Sequence, residues 1–143
     1  MAVAALDNPL EDLLGYQLRR ASAAAMGQLA RDLQALDLTP MEASLLVLVA
    51  ANRGITQSVL GRTLGIHRAN MVPLVATLGR RGLVERSAAG RSHGLAASAC
   101  GTELAHKARA AMLAHDAAIV AALRPGEAAP LREVLARLRP QVD

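Results

Sequence analysis

The order of apolar runs and turn signals between residues 55 and 98 constrains the fold more than any other feature of this chain. The segment begins ITQSVLGRTLG, continues IHRANMVPLVATLGRRGLVER and ends SAAGRSHGLAAS. It predicts a short helix, a tight turn at Gly65, a second helix, a strand, a basic glycine-containing tip and a return strand. This is the layout of a winged helix-turn-helix, whose second helix suits the DNA major groove and whose hairpin suits the neighbouring backbone.

Composition limits the core and the class of protein. The chain has 143 residues, 52% of them hydrophobic, yet Tyr16 is its only aromatic residue. We therefore expect one domain with a core of Leu, Val, Ala and Met. Charges interrupt every apolar run before the ~18–20 residues that a membrane span needs, and the N-terminus with its early acids is a poor signal peptide. The expectation is a cytoplasmic protein without a membrane partner.

Positive charge is concentrated in the middle of the chain. Residues 1–38 hold three arginines against five acids, a net −2; residues 39–98 hold seven arginines against two acids, a net +5; residues 99–143 hold six basic residues against five acids, a net +1. A basic patch on one module is typical of proteins that bind the phosphate backbone. Because the charge coincides with the helix pattern, DNA binding is favoured over an ordinary solvated surface.

Capping signals predict the other helices. Asp7 or Asn8 is expected to cap a long first helix with Pro9 in its first turn, and residues Thr39–Glu42 form a capping box. Ser98 is expected to cap a second long helix. The predicted helices cover about residues 9–36, 40–51, 57–64, 68–80, 99–123 and 128–139, and the predicted strands cover 83–86 and 94–97.

These elements predict a mainly α fold with a small β-wing, in one domain over residues 1–143. Residues 39–98 are expected to form the winged helix-turn-helix. The long helices in 1–38 and 99–143 carry apolar stripes that so small a domain cannot fully cover, so we expect them to form a dimerisation platform with a second copy of the chain.

The sequence resembles the MarR family of bacterial transcriptional regulators. The resemblance spans nearly the whole chain and rests on LTPMEASLLVLV, on ITQSVLGRTLGIHRANMVPLVATLGRRGLVERS and on the wing GRSHGL. It implies a homodimer that binds a palindromic operator, usually as a repressor. It also implies release of the DNA when a small, often phenolic or aromatic-acid ligand binds between the dimer and DNA modules.

The sequence departs from the family pattern in three places. Gly90 precedes Arg91 where many members have Asp, and the reactive cysteine of the redox-sensing branch is missing from the first helix. Pro73 stands in the recognition helix where a polar or basic residue is common, and proline is tolerated only near a helix start. One solution is a late start, with Asn70 as the effective cap.

Ten residues are candidate DNA contacts. Arg68 can bond guanine and Asn70 adenine, although a phosphate contact and a helix cap are the alternatives. Thr77 is expected to face the groove or the phosphates, and Val72 could touch a thymine methyl group; both could equally be inert surface. Arg91 at the wing tip is expected to reach the minor groove or its backbone. The full set is Thr56, Gln57, Arg62, Arg68, Asn70, Thr77, Arg81, Arg91, Ser92 and His93. Arg62 and Arg81 in this set, like Arg80 and Arg86 outside it, are more generic cations that could pair with phosphates or with Glu85.

Four residues are candidate contacts for a small ligand. Tyr16 with Arg19 and Arg20 could recognise an aromatic carboxylate, although a packed tyrosine beside two solvated arginines is the favoured alternative. His115 lies on an apolar helix face, where a hydrogen-bonded core or interface histidine is favoured over a ligand contact.

The sequence shows no signal for catalysis, a cofactor or a metal. The single cysteine, Cys100, excludes an intramolecular disulfide, and the four histidines lack metal-ligand spacing. No nucleophile–base pair or phosphate-binding glycine loop is present. Two alternatives to a ligand-responsive regulator stay open: a redox-responsive regulator switched through Cys100, and a helical interaction module that does not bind DNA.

Overall fold

Six helices and three short strands make up the computed structural model, which describes residues 6–87 and 93–140. The helices are α1 (Leu14–Asp32), α2 (Pro40–Ala51), α3 (Gln57–Leu64), α4 (Arg68–Arg80), α5 (Ala99–Ala121) and α6 (Ala128–Leu138). A short 3-10 turn, Gln34–Leu36, joins α1 to α2, and the strands are β1 (Ile55–Thr56), β2 (Val84–Arg86) and β3 (Gly94–Ala97). The fold is mainly α with a small β-wing, as the sequence predicts.

The three strands form one antiparallel sheet in the order β1-β3-β2. Leu95 of β3 lies opposite both Ile55 and Arg86. Gly94 is needed beside β1 because a Cβ there would lie 2.6 Å from the carbonyl oxygen of Gly54. The sequence predicts β2 and β3 but not β1, which has only two residues.

Local capping fixes three helix starts as predicted. The hydroxyl of Thr39 accepts from the amide of Glu42 at 3.2 Å, and the Glu42 carboxylate accepts from the amide of Thr39 at 2.9 Å. The Ser98 hydroxyl accepts from the amide of Gly101 at 3.0 Å and so caps α5. Thr56 caps α3, which ends at Gly65 in the left-handed conformation with φ 65°. Each of these caps provides a hydrogen-bond partner for backbone groups that have none within the helix.

The predicted start of the first helix is wrong. The side chain of Asn8 accepts from the amide of Leu10 at 3.2 Å, and its carbonyl accepts from the amide of Glu11 at 3.1 Å. These bonds close a turn rather than a helix, so α1 begins only at Leu14, without a side-chain cap. The turn is held against α1 because the Gln17 side chain donates to the Glu11 carbonyl at 2.6 Å.

The late start of α4 at Asn70 is also wrong. His67 is the N-cap residue, and the Asn70 amide donates to the His67 carbonyl inside the first turn. Pro73 is therefore the sixth residue of the helix, where its missing N–H leaves the Ala69 carbonyl without a helical donor. The helix continues because Met71 and Leu78 anchor its opposite face in the core.

The core is aliphatic and is shared by the middle segment and both flanking segments. It lies around α2, which packs against α5, and Gly101 lets the start of α5 approach the Leu83 carbonyl so closely that a Cβ would overlap it. The largest fully buried side chains are Leu33, Leu45, Leu46, Val49, Leu60, Met71 and Leu78. The predicted core of Leu, Val, Ala and Met is thus confirmed for the part of the chain that the structure describes.

Burial ends about three quarters of the way along α5. Beyond His115 the remaining residues of α5 are exposed, and α6 contains no buried residue. None of the helices in residues 6–87 and 93–140 is long and apolar enough to cross a membrane.

Candidate nucleic-acid interface

A groove of about 860 Å³ lies between α3, one side of α4 and the base of the wing. It brings together five of the predicted DNA contacts: Thr56, Gln57, Arg62, Arg68 and His93. Arg86, which the sequence analysis treats only as a generic cation, also lines the groove. Its position directly before the wing tip is the sequence feature from which this placement could have been predicted. Three arginines against the single carboxylate of Glu85 make this groove cationic.

The start of α3 presents free backbone donors to this groove. The hydroxyl of Thr56 is occupied as the cap, because it accepts from the amide of Val59 at 3.3 Å. The amides of Gln57 and Ser58, in the first turn, have no partner inside the helix. Helix dipoles and free amides at such an end favour an anionic oxygen.

The start of α4 presents side chains without internal partners. Arg68, Ala69 and Asn70 are all exposed. Within residues 6–87 and 93–140, the side chains of Arg68 and Asn70 make no hydrogen bond or ion pair. Both are therefore available to an external partner, and neither is used as a cap.

Three predicted contacts do not line the groove: Asn70, at the exposed start of α4, and Thr77 and Arg81, which lie away from it. Arg81 donates to the carbonyl oxygen of Asp37 at 2.7 Å, and its guanidinium lies 3.7 Å from the Asp37 carboxylate. Thr77 donates its hydroxyl proton to the carbonyl of Pro73 at 2.9 Å. Both side chains face a second, shallow groove beside the 3-10 turn, where Arg81 ties the end of α4 to the connection between α1 and α2.

The base of the wing is fixed by an arginine–histidine contact. The Nη1 of Arg86 lies 2.8 Å from the Nδ1 of His93. Arginine can only donate, so Nδ1 accepts and His93 carries its proton on Nε2. The predicted wing-tip contacts Arg91 and Ser92, with the tip itself, lie outside the described residues.

Tyr16, Arg19 and Arg20 form one cluster at the start of α1. The phenol oxygen accepts from Asn8 at 3.2 Å and from Arg20 at 3.0 Å, and the Arg19 guanidinium lies 5.3 Å from the ring centroid. The hydrogen bond from Asn8, and after it that from Arg20, lowers the pKa of the Tyr16 phenol. The ring and both guanidinium groups therefore already contact each other without a ligand.

His115, the fourth candidate ligand contact, lies away from the cluster around Tyr16. It is buried on α5, and its Nδ1 is 3.5 Å from the Asp32 carboxylate at the end of α1. Its Nε2 has no hydrogen-bond partner among the described residues. Because Tyr16 and Asp32 are sixteen residues apart on one helix, about 24 Å, the four candidate ligand contacts do not form one site within a single chain.

Cys100 is exposed in the first turn of α5. Its sulfur lies 3.2 Å from the Gly82 carbonyl and 3.2 Å from the Ser98 hydroxyl. No group of three or more His, Cys, Asp or Glu side chains that could hold a metal ion occurs in residues 6–87 and 93–140.

Comparisons with known proteins place this architecture in a family. A family model described as MarR family matches residues 36–93. The transcriptional repressor CouR bound to p-coumaroyl-CoA superposes with a TM-score of 0.84 and is 31% identical, over 92% of this chain and 95% of that chain. The chain belongs to the MarR family.

Three further matches agree with the MarR assignment. CouR bound to a 23-mer DNA duplex has a TM-score of 0.81 and 29% identity, over 93% of this chain and 99% of that chain. A Mycobacterium tuberculosis MarR family protein in complex with salicylic acid has a TM-score of 0.69 and 29% identity, over 93% and 98%. A proposed transcriptional regulatory protein for the hcr operon of Thauera aromatica is 35% identical over 74 residues, or 51% of this chain. That match spans 45% of the curated relative, less than half its length.

Proposed function

We propose that this MarR-family regulator is a homodimeric repressor that binds a palindromic operator and releases it on binding a ligand derived from an aromatic acid. One observation carries the proposal: the cationic groove joins the free amides of α3, the unpaired Arg68 at the start of α4 and the base of the wing on one surface. These are the parts that contact phosphates and base edges in a winged helix-turn-helix. Such a protein works where the chromosome lies, in the cytoplasm.

The uncovered apolar faces support a dimer. Leu131, Val134, Leu135 and Leu138 of α6 are all exposed, and so are Ile119 and Val120 at the end of α5. Arg132 donates to Asp116 at 3.1 Å and holds α6 against α5, so these side chains lie on neighbouring helices. A second copy of the chain would cover them and would place two α4 helices about one DNA turn, ~34 Å, apart.

Two relatives support the ligand class. CouR and the Mycobacterium tuberculosis protein were solved with p-coumaroyl-CoA and with salicylic acid, and both ligands derive from aromatic acids. In this chain Tyr16, Arg19 and Arg20 offer an aromatic ring and two cations, and His115 offers a buried Nε2. We propose these four residues as the ligand contacts, from two separate places in each chain.

The DNA proposal is tested by titrating the protein against a duplex selected from a random library. We expect nanomolar binding that weakens by roughly a thousandfold when salt rises from about 50 to 200 mM, since phosphate contacts release counterions. Arg68→Ala should weaken binding at least tenfold. Arg124→Ala, an exposed arginine in the α5–α6 connection, is the matched control and should leave it unchanged. Failure to select any salt-sensitive duplex would refute DNA binding.

The ligand proposal is tested by adding p-coumaroyl-CoA or salicylate to the preformed complex with that duplex. We expect at least one of them to release the DNA, because a ligand shifts the equilibrium by its differential affinity for the free and bound shapes. Arg20→Gln should raise the concentration needed, whereas Arg124→Gln should not. If neither compound releases DNA at millimolar concentration, this ligand class is wrong.

A further inference from the structure

The surface of α4 that points away from the core is almost devoid of polar side chains. With about 100° of rotation per residue, the buried Met71 and Leu78 define one face of the helix, and the opposite face is then occupied by Ala69, Pro73 and Ala76, with Arg80 at its last residue. Val72 adjoins this face and is 50% exposed. If α4 lies with this face in the major groove, its hydrogen-bonding side chains stand only along the edges of the face and at the two ends of the helix.

The cations around this apolar face point to DNA rather than to a protein as its occupant. Arg68 stands at the first residue of α4 and Arg80 at the last, and both are exposed. An apolar strip between two guanidinium groups matches a major groove, whose edges are phosphates and whose floor is formed by the bases. The one apolar group that bases display there is the 5-methyl group of thymine.

Pro73 strengthens this match. Its ring is exposed, rigid and apolar. Val72 lies beside it and also lines the cationic groove. The two residues are therefore exposed, apolar and on adjoining sides of the first half of the helix, the half through which the recognition helix of a helix-turn-helix contacts base edges.

We infer that Val72 and Pro73 recognise thymine in the operator through its 5-methyl group. The inference rests on the proposed DNA binding and adds which base is read and by which side chains. The preference for thymine over the other bases at these positions arises because the protein buries the methyl group of thymine. Arg68 and Asn70 contribute their hydrogen bonds at neighbouring positions.

The test replaces thymine by uracil, one position at a time, across the footprint of the selected duplex. The exchange removes only the methyl group. At one or two positions in each half-site we expect binding to weaken about fourfold. This is the change in affinity that corresponds to the burial of one apolar carbon. Thymines outside the footprint serve as internal controls and should show no effect.

Variants assign the effect to the two side chains. In Val72→Ala or Pro73→Ala, the ratio of thymine to uracil affinity at the sensitive position should fall towards one. The matched control is Val59→Ala, an exposed valine on α3, which should keep the fourfold ratio whatever it does to overall affinity. Alanine at position 73 restores a helical N–H, so loss of folding does not complicate that variant.

The outcomes separate the inference from the proposed function. If every uracil duplex binds like the parent while Arg68→Ala still weakens salt-sensitive binding, then DNA binding stands and methyl recognition is refuted. Methyl recognition by these side chains is also refuted if the ratio persists in both Val72→Ala and Pro73→Ala. If no duplex can be selected at all, the proposed function fails and the inference falls with it.

Discussion

At the scale of single residues, Gly101 has no room for a side chain. A Cβ there would overlap the carbonyl oxygen of Leu83, which is backbone and cannot rotate away. Gly101→Ala should therefore lower the free energy of unfolding by about 1–3 kcal/mol or more, because α5 must move off the wing. Chemical denaturation at one fixed protein concentration measures the change.

The matched control for this prediction is Gly79→Ala in α4. A Cβ at position 79 would meet only the Val84 carbonyl at 3.8 Å, an ordinary contact. Because alanine is the better helix former, this variant should be unchanged or more stable by about 0.5–1 kcal/mol. Equal effects of the two substitutions would contradict the close packing at Gly101.

A second prediction at this scale concerns the phenol of Tyr16. The chain has one tyrosine and no tryptophan, so phenolate absorbance reports this group alone. Its titration midpoint should lie below the ordinary pKa of about 10, because Asn8 and Arg20 donate to the phenol oxygen and favour the phenolate. Asn8→Ala and Arg20→Gln should each raise the pKa, and Gln34→Ala should leave it in place. A wild-type midpoint at or above 10 would refute these contacts.

At the scale of elements, the capping box decides where α2 begins. Thr39→Ala removes the acceptor for the amide of Glu42 and should destabilise the protein by about 1 kcal/mol in thermal or chemical unfolding. The matched control is Thr63→Ala at an exposed position inside α3, which should be neutral or slightly stabilising because alanine has the higher helix propensity. The prediction fails if both variants have the same stability.

At the scale of the whole molecule, the exposed face of α6 should set the oligomeric state. Leu135→Glu places a charge where a second copy would bury leucine, so the dimer should dissociate at micromolar concentration and operator affinity should fall with it. Sedimentation or light scattering measures the mass. Met41→Glu, at a residue of similar exposure on α2, is the control and should keep the mass of the parent. A parent protein that is monomeric at all concentrations would refute the dimer.

Much of the fold and part of the site could be predicted from the sequence, because the signals were local. Thr39, Ser98 and Gly65 act on backbone groups within a few residues, so their roles can be read from spacing alone. The apolar periodicity of α4 likewise agrees with the burial of Met71 and Leu78. The exposure of Arg68 and Asn70 also follows from their place at the start of that helix, and their contact with DNA stays a prediction.

What the sequence by itself determined is the six helices, two of the three strands, their order and the concentration of arginines in residues 39–98, since caps, turns and periodicity operate over one or two helical turns. Tertiary structure decided the rest. It formed β1 only because β3 lies beside it, and it turned Arg81 to Asp37, 44 residues away in the chain. Such partners meet only when packing brings distant segments together, and no local pattern carries that information.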